Sequence, residues 1–469
     1  MLLLALSLLS PLALAQEGAG GGSEPADPAA DPPAEPAAEP AAEEPAAEPA
    51  PAPAAEPAAE PAPAAEEPAA APTKQWRWAA LPIGNYSSTY GVGYGAYGNI
   101  VNNGVGDLGD DPYRAKFALQ IYHTTGSYYD DFFKMDLPGL GGSPFRWDLQ
   151  AGITGWPTAS WYGWGNNSLR QPESDDLADG ACHKETYDAG ASTDDPGLIP
   201  CYYNYAQKAS FKLITNLRRD ISGPWSMFVN AYVRTYTLNL YEGSLVEVTQ
   251  PVGAGGGVYA RLGLGAMYDT RDAEPTPTGG MFTEASVRGG MNVQSPDERV
   301  IAVNITDRRW LGFGASKKVV LASREILDMK FGNEPFFMSQ TIGGSEDLSI
   351  GTSGLMRGLP YGRLAGDGAF FWQPELRWKY HTWHIGKSST LDFMTGPYLD
   401  VGKVWLWDPE SRGLEADDLT HLHYGYGLGN RFIFNEDLVV RLDFGFGREE
   451  YTTGVKQNFG LFLVFDHPY

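Results

Sequence analysis

The chain has 469 residues, a net charge of −24 and 13% aromatic residues. Acidity on this scale, with no cluster of bases to track phosphates, excludes nucleic acid as a partner. No apolar run approaches the roughly 18 residues that a transmembrane helix needs.

In chain order, the first element is Met1 to Leu14, almost wholly apolar, followed by the small-x-small pattern Ala13-Leu14-Ala15 that signal peptidase requires. The expectation is a secretory signal over residues 1–15, with a short buried helix as the alternative. No Lys or Arg precedes the apolar run, which places the expected natural start upstream. Residues 16–75 are mostly Ala, Pro, Glu and Gly in near-repeats of Pro-Ala-Ala-Glu. With so few apolar groups to bury, they cannot offset the entropy of ordering and read as a disordered linker, expected in the periplasm. Thirteen acids lie between Glu17 and Glu67 with no base among them, which leaves 11 of the 24 net negative charges to the rest of the chain. Repulsion and polyproline II preference extend such a tract by up to about 3.1 Å per residue.

From Trp76 onward glycine and aromatics rise together and the period becomes two. In "VYARLGLGAMYDTRD", Val258, Ala260, Leu262, Leu264, Ala266 and Tyr268 share one face, and Arg261, Gly263, Gly265, Asp269 and Arg271 share the other. "LVVRLDFGFG" repeats the scheme, with Leu438, Val440, Leu442, Phe444 and Phe446 opposite Arg441, Asp443, Gly445 and Gly447. A purely apolar face on an exported chain fits an all-β transmembrane antiparallel barrel whose apolar side meets lipid; a soluble sandwich is the alternative. At roughly 24 residues per strand and loop, residues 76–469 give 16 strands, an even number that returns both ends to one side. Tyr122, Trp225, Tyr241, Trp405 and Trp407 are candidates for the interfacial aromatic girdle. The ending "NFGLFLVFDHPY" is an alternating aromatic strand similar to the signal by which the barrel-assembly machinery knows its clients.

Cys182 and Cys201 flank a stretch rich in Asp, Gly, Ser and Thr. In an exported chain they read as one disulfide tying a loop. A zinc site is the weaker alternative, since His183 adjoins Cys182 but no CxxC accompanies it.

Four motifs carry a resemblance. "ALPIGNYSSTYGVGYGAYGN", "YDTRDAEPTPTGGMFTEASVRGG", "LMRGLPYGRLAGDGAFFWQPELRW" and "GPYLDVGKVW" resemble, in that order, the barrel of the BamA/TamA family, also called the bacterial surface antigen family. The likeness spans residues 80–469. It implies an outer-membrane barrel in which Met356-Arg357-Gly358-Leu359 stands for the family's Val-Arg-Gly-Phe/Tyr motif, at the tip of an extracellular loop folded into the lumen. Glu375 and Asp400 fall on the family's acidic positions, which makes them the expected partners of Arg357 in a latch with Gly358. A buried guanidinium needs such acceptors.

Other residues read more plainly. Arg363 is expected on the loop surface or in the lumen, and Asp269, Arg271 and Asp272 in a structural network closing a strand end onto its turn. His421 and His423 read as solvated loop histidines. His381 and His384, three apart, would face opposite sides of a strand. No Gly-x-Ser-x-Gly elbow, HExxH or GxxxxGK[ST] is present, so the reading is of a non-enzyme without metal, nucleotide or other cofactor.

The family's periplasmic POTRA modules cannot form from the Ala/Pro/Glu tract. The resemblance therefore implies partners in the lipid bilayer, unfolded outer-membrane proteins, or a separate POTRA or chaperone component. Three functions stay open on this reading: assistance to membrane-protein insertion or translocation, a passive channel or surface-exposed barrel without that activity, and a periplasm-spanning tether whose acidic tract recruits another component.

Overall fold

The structure, a computed structural model, describes residues 76–87, 91–104, 113–165, 204–241, 244–274, 276–351, 354–386, 389–410, 422–435, 438–451 and 454–465. The expected signal and linker, Cys182, Cys201 and His421 lie outside the described residues.

Among the described residues sixteen strands of nine residues or more follow one another, with a two-residue strand, Leu238–Asn239, added to the same sheet: β1 (Trp76–Ser87), β2 (Gly91–Asn102), β3 (Ala115–Thr124), β4 (Tyr129–Leu137), β5 (Phe145–Ser160), β6 (Asn204–Ser222), β7 (Trp225–Tyr236) and β8 (Gly257–Asp269). After them come β9 (Gly279–Asn292), β10 (Ser295–Phe313), β11 (Val319–Gly332), β12 (Gly368–Ile385), β13 (Ser389–Trp405), β14 (His423–Phe434), β15 (Leu438–Tyr451) and β16 (Gly454–Phe465). Each pairs antiparallel with the next, so the sheet is a continuous meander. The connections after β5, β7, β11 and β13 are long and share one end of the sheet, while those after β6, β8, β10 and β12 are short and share the other.

Side chains alternate as the period of two demands. On β8, Leu262 and Leu264 are 68% and 61% exposed, whereas Arg261 between β7 and β9 is 4% exposed. On β12, Phe370, Trp372 and Leu376 face out, and Gln373, Glu375 and Arg377 are buried inside. An exposed apolar band around a charged interior is the inverse of a water-soluble protein and fits a barrel that meets lipid. Trp225 and Trp407 are exposed, and exposed Tyr241 lies in the β7–β8 connection. Tyr122 departs from the girdle: it packs inward beside Tyr97 and Phe132, because its neighbours Leu119 and Ile121 hold the outward parity.

The two ends of the sheet meet by overlap. Ile83, Tyr97 and Ala118, on the inner faces of β1–β3, form one buried cluster with Leu438, and Phe434 and Val440 pack against it. Phe434, Leu438 and Val440 share the parity of the exposed Leu428, Phe444 and Phe446, which is outward. The inner face of the first strands therefore lies over the outer face of β14–β15. Among the described residues no ladder pairing joins β1 to β16.

Candidate functional site

The connection from Asn333 to Asp367 does not leave the barrel. It is too apolar to sit in water: Phe336, Phe337, Met338, Ile342, Leu348, Ile350, Leu355, Met356, Leu359 and Leu364 are all buried. A helical turn at Phe336–Ser339 and a small hairpin pairing Thr341–Ile342 with Leu348–Ser349 satisfy part of its backbone. The barrel wall supplies the apolar partners Ile326, Phe371 and Val404 on one side and Tyr232, Tyr236 and Tyr259 on the other. Phe337 stacks on Tyr236 with ring centres 3.7 Å apart.

Inward-facing wall charges hold this plug at successive heights. Lys330 donates to the carbonyls of Thr341 and Met338 at 2.9 and 3.3 Å and pairs with Glu334 at 2.7 Å. Asp328 is gripped by Arg288 at 2.8 and 2.9 Å and accepts from Asn304 and from the Gly343 amide. Glu284 accepts from the Ser345 amide at 2.8 Å, and Arg308 meets Glu346 at 2.5 Å.

The tip of the plug is the Met356-Arg357-Gly358 turn. Met356 and Gly358 both take left-handed backbone angles, φ 60° and 94°, a conformation a side-chain-bearing residue enters at a cost. Gly358 has no choice of side chain: a Cβ there would lie 2.4 Å from the Gly447 amide nitrogen. The wall opposite is itself a glycine strip, in which a Cβ on Gly425 would meet the Arg357 carbonyl oxygen at 2.1 Å. Backbone lies directly on backbone.

That close approach aims Arg357 at three buried carboxylates. Its Nε and Nη2 donate to the two oxygens of Asp400 at 2.9 and 2.8 Å, and its amide adds a third bond to Asp400 at 2.8 Å. Nη1 reaches Glu375 at 3.2 Å and Asp443 at 3.3 Å. The guanidinium carbon stands 3.3 Å from the centre of the Tyr398 ring, a cation–π contact. Glu375 is shared with Arg431, which holds it through both Nη groups, and Asp443 with Arg441 at 3.0 Å. Among the described residues, the bonds to Asp400 come from Arg357 alone.

The structure thus brings Arg357, Gly358, Glu375 and Asp400 to one place. Sequence reasoning missed Asp443, Arg431 and Tyr398, although the alternation had already put Asp443 on the inner face with Gly445 and Gly447. Magnitudes divide the work. Six of the buried plug side chains, at roughly 1.5–3 kcal/mol each, outweigh any net gain from buried ion pairs, so apolar packing holds the plug in and Arg357 sets its position.

Asp269, Arg271 and Asp272 lie at the opposite end of β8. Arg271 clamps Asp269 at 2.9 and 2.6 Å, while Asp272 closes the turn onto β9 by accepting from the Thr278 and Gly279 amides at 2.8 and 3.1 Å and from Lys317 at 3.1 Å. Glu274 in the same turn is bound by Arg146 of β5 at 2.5 and 2.9 Å. Of the two places expected for Arg363, the structure gives the interior: it is buried within the plug, its guanidinium 5.7 Å from the centre of the Tyr162 ring. One expectation needs correction. His423 is not a solvated loop residue but the buried first residue of β14, opposite Gly402.

Beneath the plug, Ser345, Glu346 and Asp347 border a cavity of about 500 Å³ lined also by Lys134, Arg146 and Lys212.

No family model matches the sequence, and no similar curated protein was found. Among solved structures, the chain is similar to BamA from Haemophilus ducreyi lacking POTRA domains 1–3, with 13% identity and a TM-score of 0.46 over 84% of this chain and 70% of that one. It is also similar to CdiB from Escherichia coli (12% identity, TM-score 0.44, 84% of this chain and 64% of that one) and to CdiB from Acinetobacter baumannii (14%, 0.41, 84% and 60%). At these identities and TM-scores the comparisons carry no inference for this chain, whose antiparallel barrel is read from its own strand pairing.

Proposed function

We propose that this protein is an outer-membrane barrel of the BamA/TamA kind that assists the insertion or translocation of other outer-membrane proteins, without enzymatic chemistry. The observation that carries this reading is the seam. Where Ile83, Tyr97 and Ala118 lie over Leu438, the sheet ends are held by side-chain packing. Packing of this kind parts without breaking a row of backbone hydrogen bonds, so an unfolded strand could meet an exposed strand edge there. The clasp of Arg357 on Asp400, Glu375 and Asp443 braces β12–β15 from inside while the ends part. The acidic N-terminal tract would hang on the periplasmic side, where unfolded clients or a POTRA or chaperone component arrive.

A passive channel or surface-exposed barrel is the alternative, and the packed plug above the cavity disfavours an open pore. The deciding experiment is the folding of a small unfolded barrel protein into liposomes that already hold the full chain, beside the same liposomes with Arg357→Ala. Acceleration by the unaltered protein, lost in the variant, is the expected result. No acceleration by either would sink the insertase reading in favour of the alternative, with bilayer conductance as its measure.

A further inference from the structure

One stretch of the lipid-facing wall is hollow. The outward residues of β7 to β11 stand there in two neighbouring rows. The register sets Ala231, Leu262, Gly289, Ile301 and Phe331 side by side and, one step nearer the end with the long connections, Val233, Ala260, Met291 and Arg299. Ala231, Ala260 and Gly289 are the small members, and the exposed Leu262, Met291, Ile301 and Phe331 rise around them. The result is a hollow of about 700 Å³, in the size range of pockets that hold small ligands. Gly289 deepens it, since a Cβ there meets nothing within 4 Å. From β7 to β11 it crosses four strand spacings, about 19 Å, a length that suits an extended acyl chain. Any lipid covers a flat wall, whereas a hollow loses dispersion contacts unless a chain is seated in it.

One corner of the hollow is charged. Arg299 lines it and is exposed, and its guanidinium has no hydrogen bond, ion pair or ring contact among the described residues. Asp297, two residues away on the same strand face, makes no ion pair with it among those residues. Aromatics mark the depth. Phe331, in the adjacent row, stacks on the exposed Trp407 with ring centres 5.3 Å apart, and the Trp407 indole donates to the Lys330 carbonyl at 2.6 Å. Tryptophan on a lipid-facing wall sits at the level of the headgroups. The Asn333 amide, just beyond β11, donates to the Arg299 carbonyl at 2.8 Å and so ties Arg299 to that level.

We infer that this hollow seats an anionic, phosphate-bearing lipid of the leaflet on the long-connection side, with an acyl chain over Ala231, Ala260 and Gly289 and the phosphate on Arg299. An apolar hollow below an unpaired guanidinium presents the two parts of such a lipid in their order across the leaflet. The guanidinium's planar fork of donors matches phosphate oxygens bidentately, which water does less well. Leu262, Met291, Ile301 and Phe331 flank the chain and hold it in place. The inference rests on the wall's meeting lipid and not on any role in insertion.

The test uses the full chain folded in a neutral detergent and counts bound lipid by native mass spectrometry as dimyristoyl phosphatidylglycerol is titrated in. Dimyristoyl glycerol supplies the same chains without the phosphate. Arg299→Gln removes the charge, Gly289→Leu fills the hollow, and Arg309→Gln changes another exposed arginine of the same strand face outside the hollow. Heat-modifiable gel migration shows that each has folded. The expected result is one retained phosphatidylglycerol per chain, held about fivefold more tightly than the phosphate-free lipid. Arg299→Gln should erase that preference, Gly289→Leu should weaken both lipids, and Arg309→Gln should change neither. No retained lipid, or equal binding of the two lipids by the unaltered protein, overturns the inference, as does a preference that survives Arg299→Gln. Phosphatidylglycerol binding that Gly289→Leu leaves intact, or that inorganic phosphate displaces, overturns it too, because the site would then hold an anion without its chain.

Discussion

The tip of the plug and the turn after β8 use the same residue types for opposite purposes. Both join an arginine to aspartates. At the tip, Arg357 ties a loop to wall residues 43 positions away in the chain, and Asp400 is wholly removed from solvent. In the turn, Arg271 holds Asp269 only two residues back, and Asp269 and Asp272 remain partly exposed. Water can replace a partner lost from the turn but not one lost from the tip. Burial, not residue identity, therefore decides what each arginine is worth.

The largest effect expected from this contrast is on Arg357. Arg357→Ala strands Asp400 without a described partner and leaves Glu375 and Asp443 closer to mutual repulsion, a loss of about 3–5 kcal/mol. Arg271→Ala should cost about 1 kcal/mol or less. Equal losses in denaturant unfolding of the two variants, in one detergent, would erase the distinction. A smaller effect tests the backbone contact itself. Gly358→Ala must push a Cβ toward the Gly447 amide at a left-handed φ, which costs about 1–3 kcal/mol. Gly289→Ala is its control, since a Cβ there meets nothing within 4 Å, and it should leave the midpoint unchanged. A matched shift in both would show that glycine flexibility, not close approach, is what the tip requires.

Much of this was legible before any coordinates. Period-two alternation in "VYARLGLGAMYD" is enough to put Arg261 inside and Leu262 outside, because a strand has no third direction to point. The same parity, applied to "AFFWQPELRW" and "YLDVGKVW", puts Glu375 opposite Trp372 and Leu376, and Asp400 opposite Leu399 and Val401, on the inner wall. What alternation cannot give is depth along the lumen or which strands meet across it. Asp443 was on the correct face but two strands away from Asp400, a distance the sequence does not encode. Tyr122 and Leu438 failed for a related reason. Near the seam one sheet end covers the other, so Leu438 keeps its outward parity and is nevertheless buried, and inward Tyr122 packs against the same cluster. "ITDRRWLGF" did carry a signal, two charges, Asp307 and Arg309, where the outward row should be apolar.

The smallest expected effect sharpens the comparison from the turn's side, through acid. Slight burial pushes the Asp272 carboxyl up, but the bonds from Thr278, Lys317 and Gly279 outweigh it and hold the group at about 2. Glu274 is pushed up by its deeper burial and brought down to about 2 by Arg146 and Arg271. Both groups titrate lower in the folded chain than the roughly 4 of an unfolded carboxylate. Their contribution is therefore complete above that unfolded value and disappears as pH falls from about 4 through about 2. Amide protection at Thr278 and Gly279, corrected for intrinsic exchange, should drop across that window. Asp272→Asn should lower protection there at neutral pH and flatten the acid response, with Glu274→Gln acting more weakly on the same two amides. Protection that is flat down to pH of about 2 in the unaltered protein would mean that the turn is held by its backbone alone, and that its aspartates, unlike those around Arg357, contribute nothing to the fold.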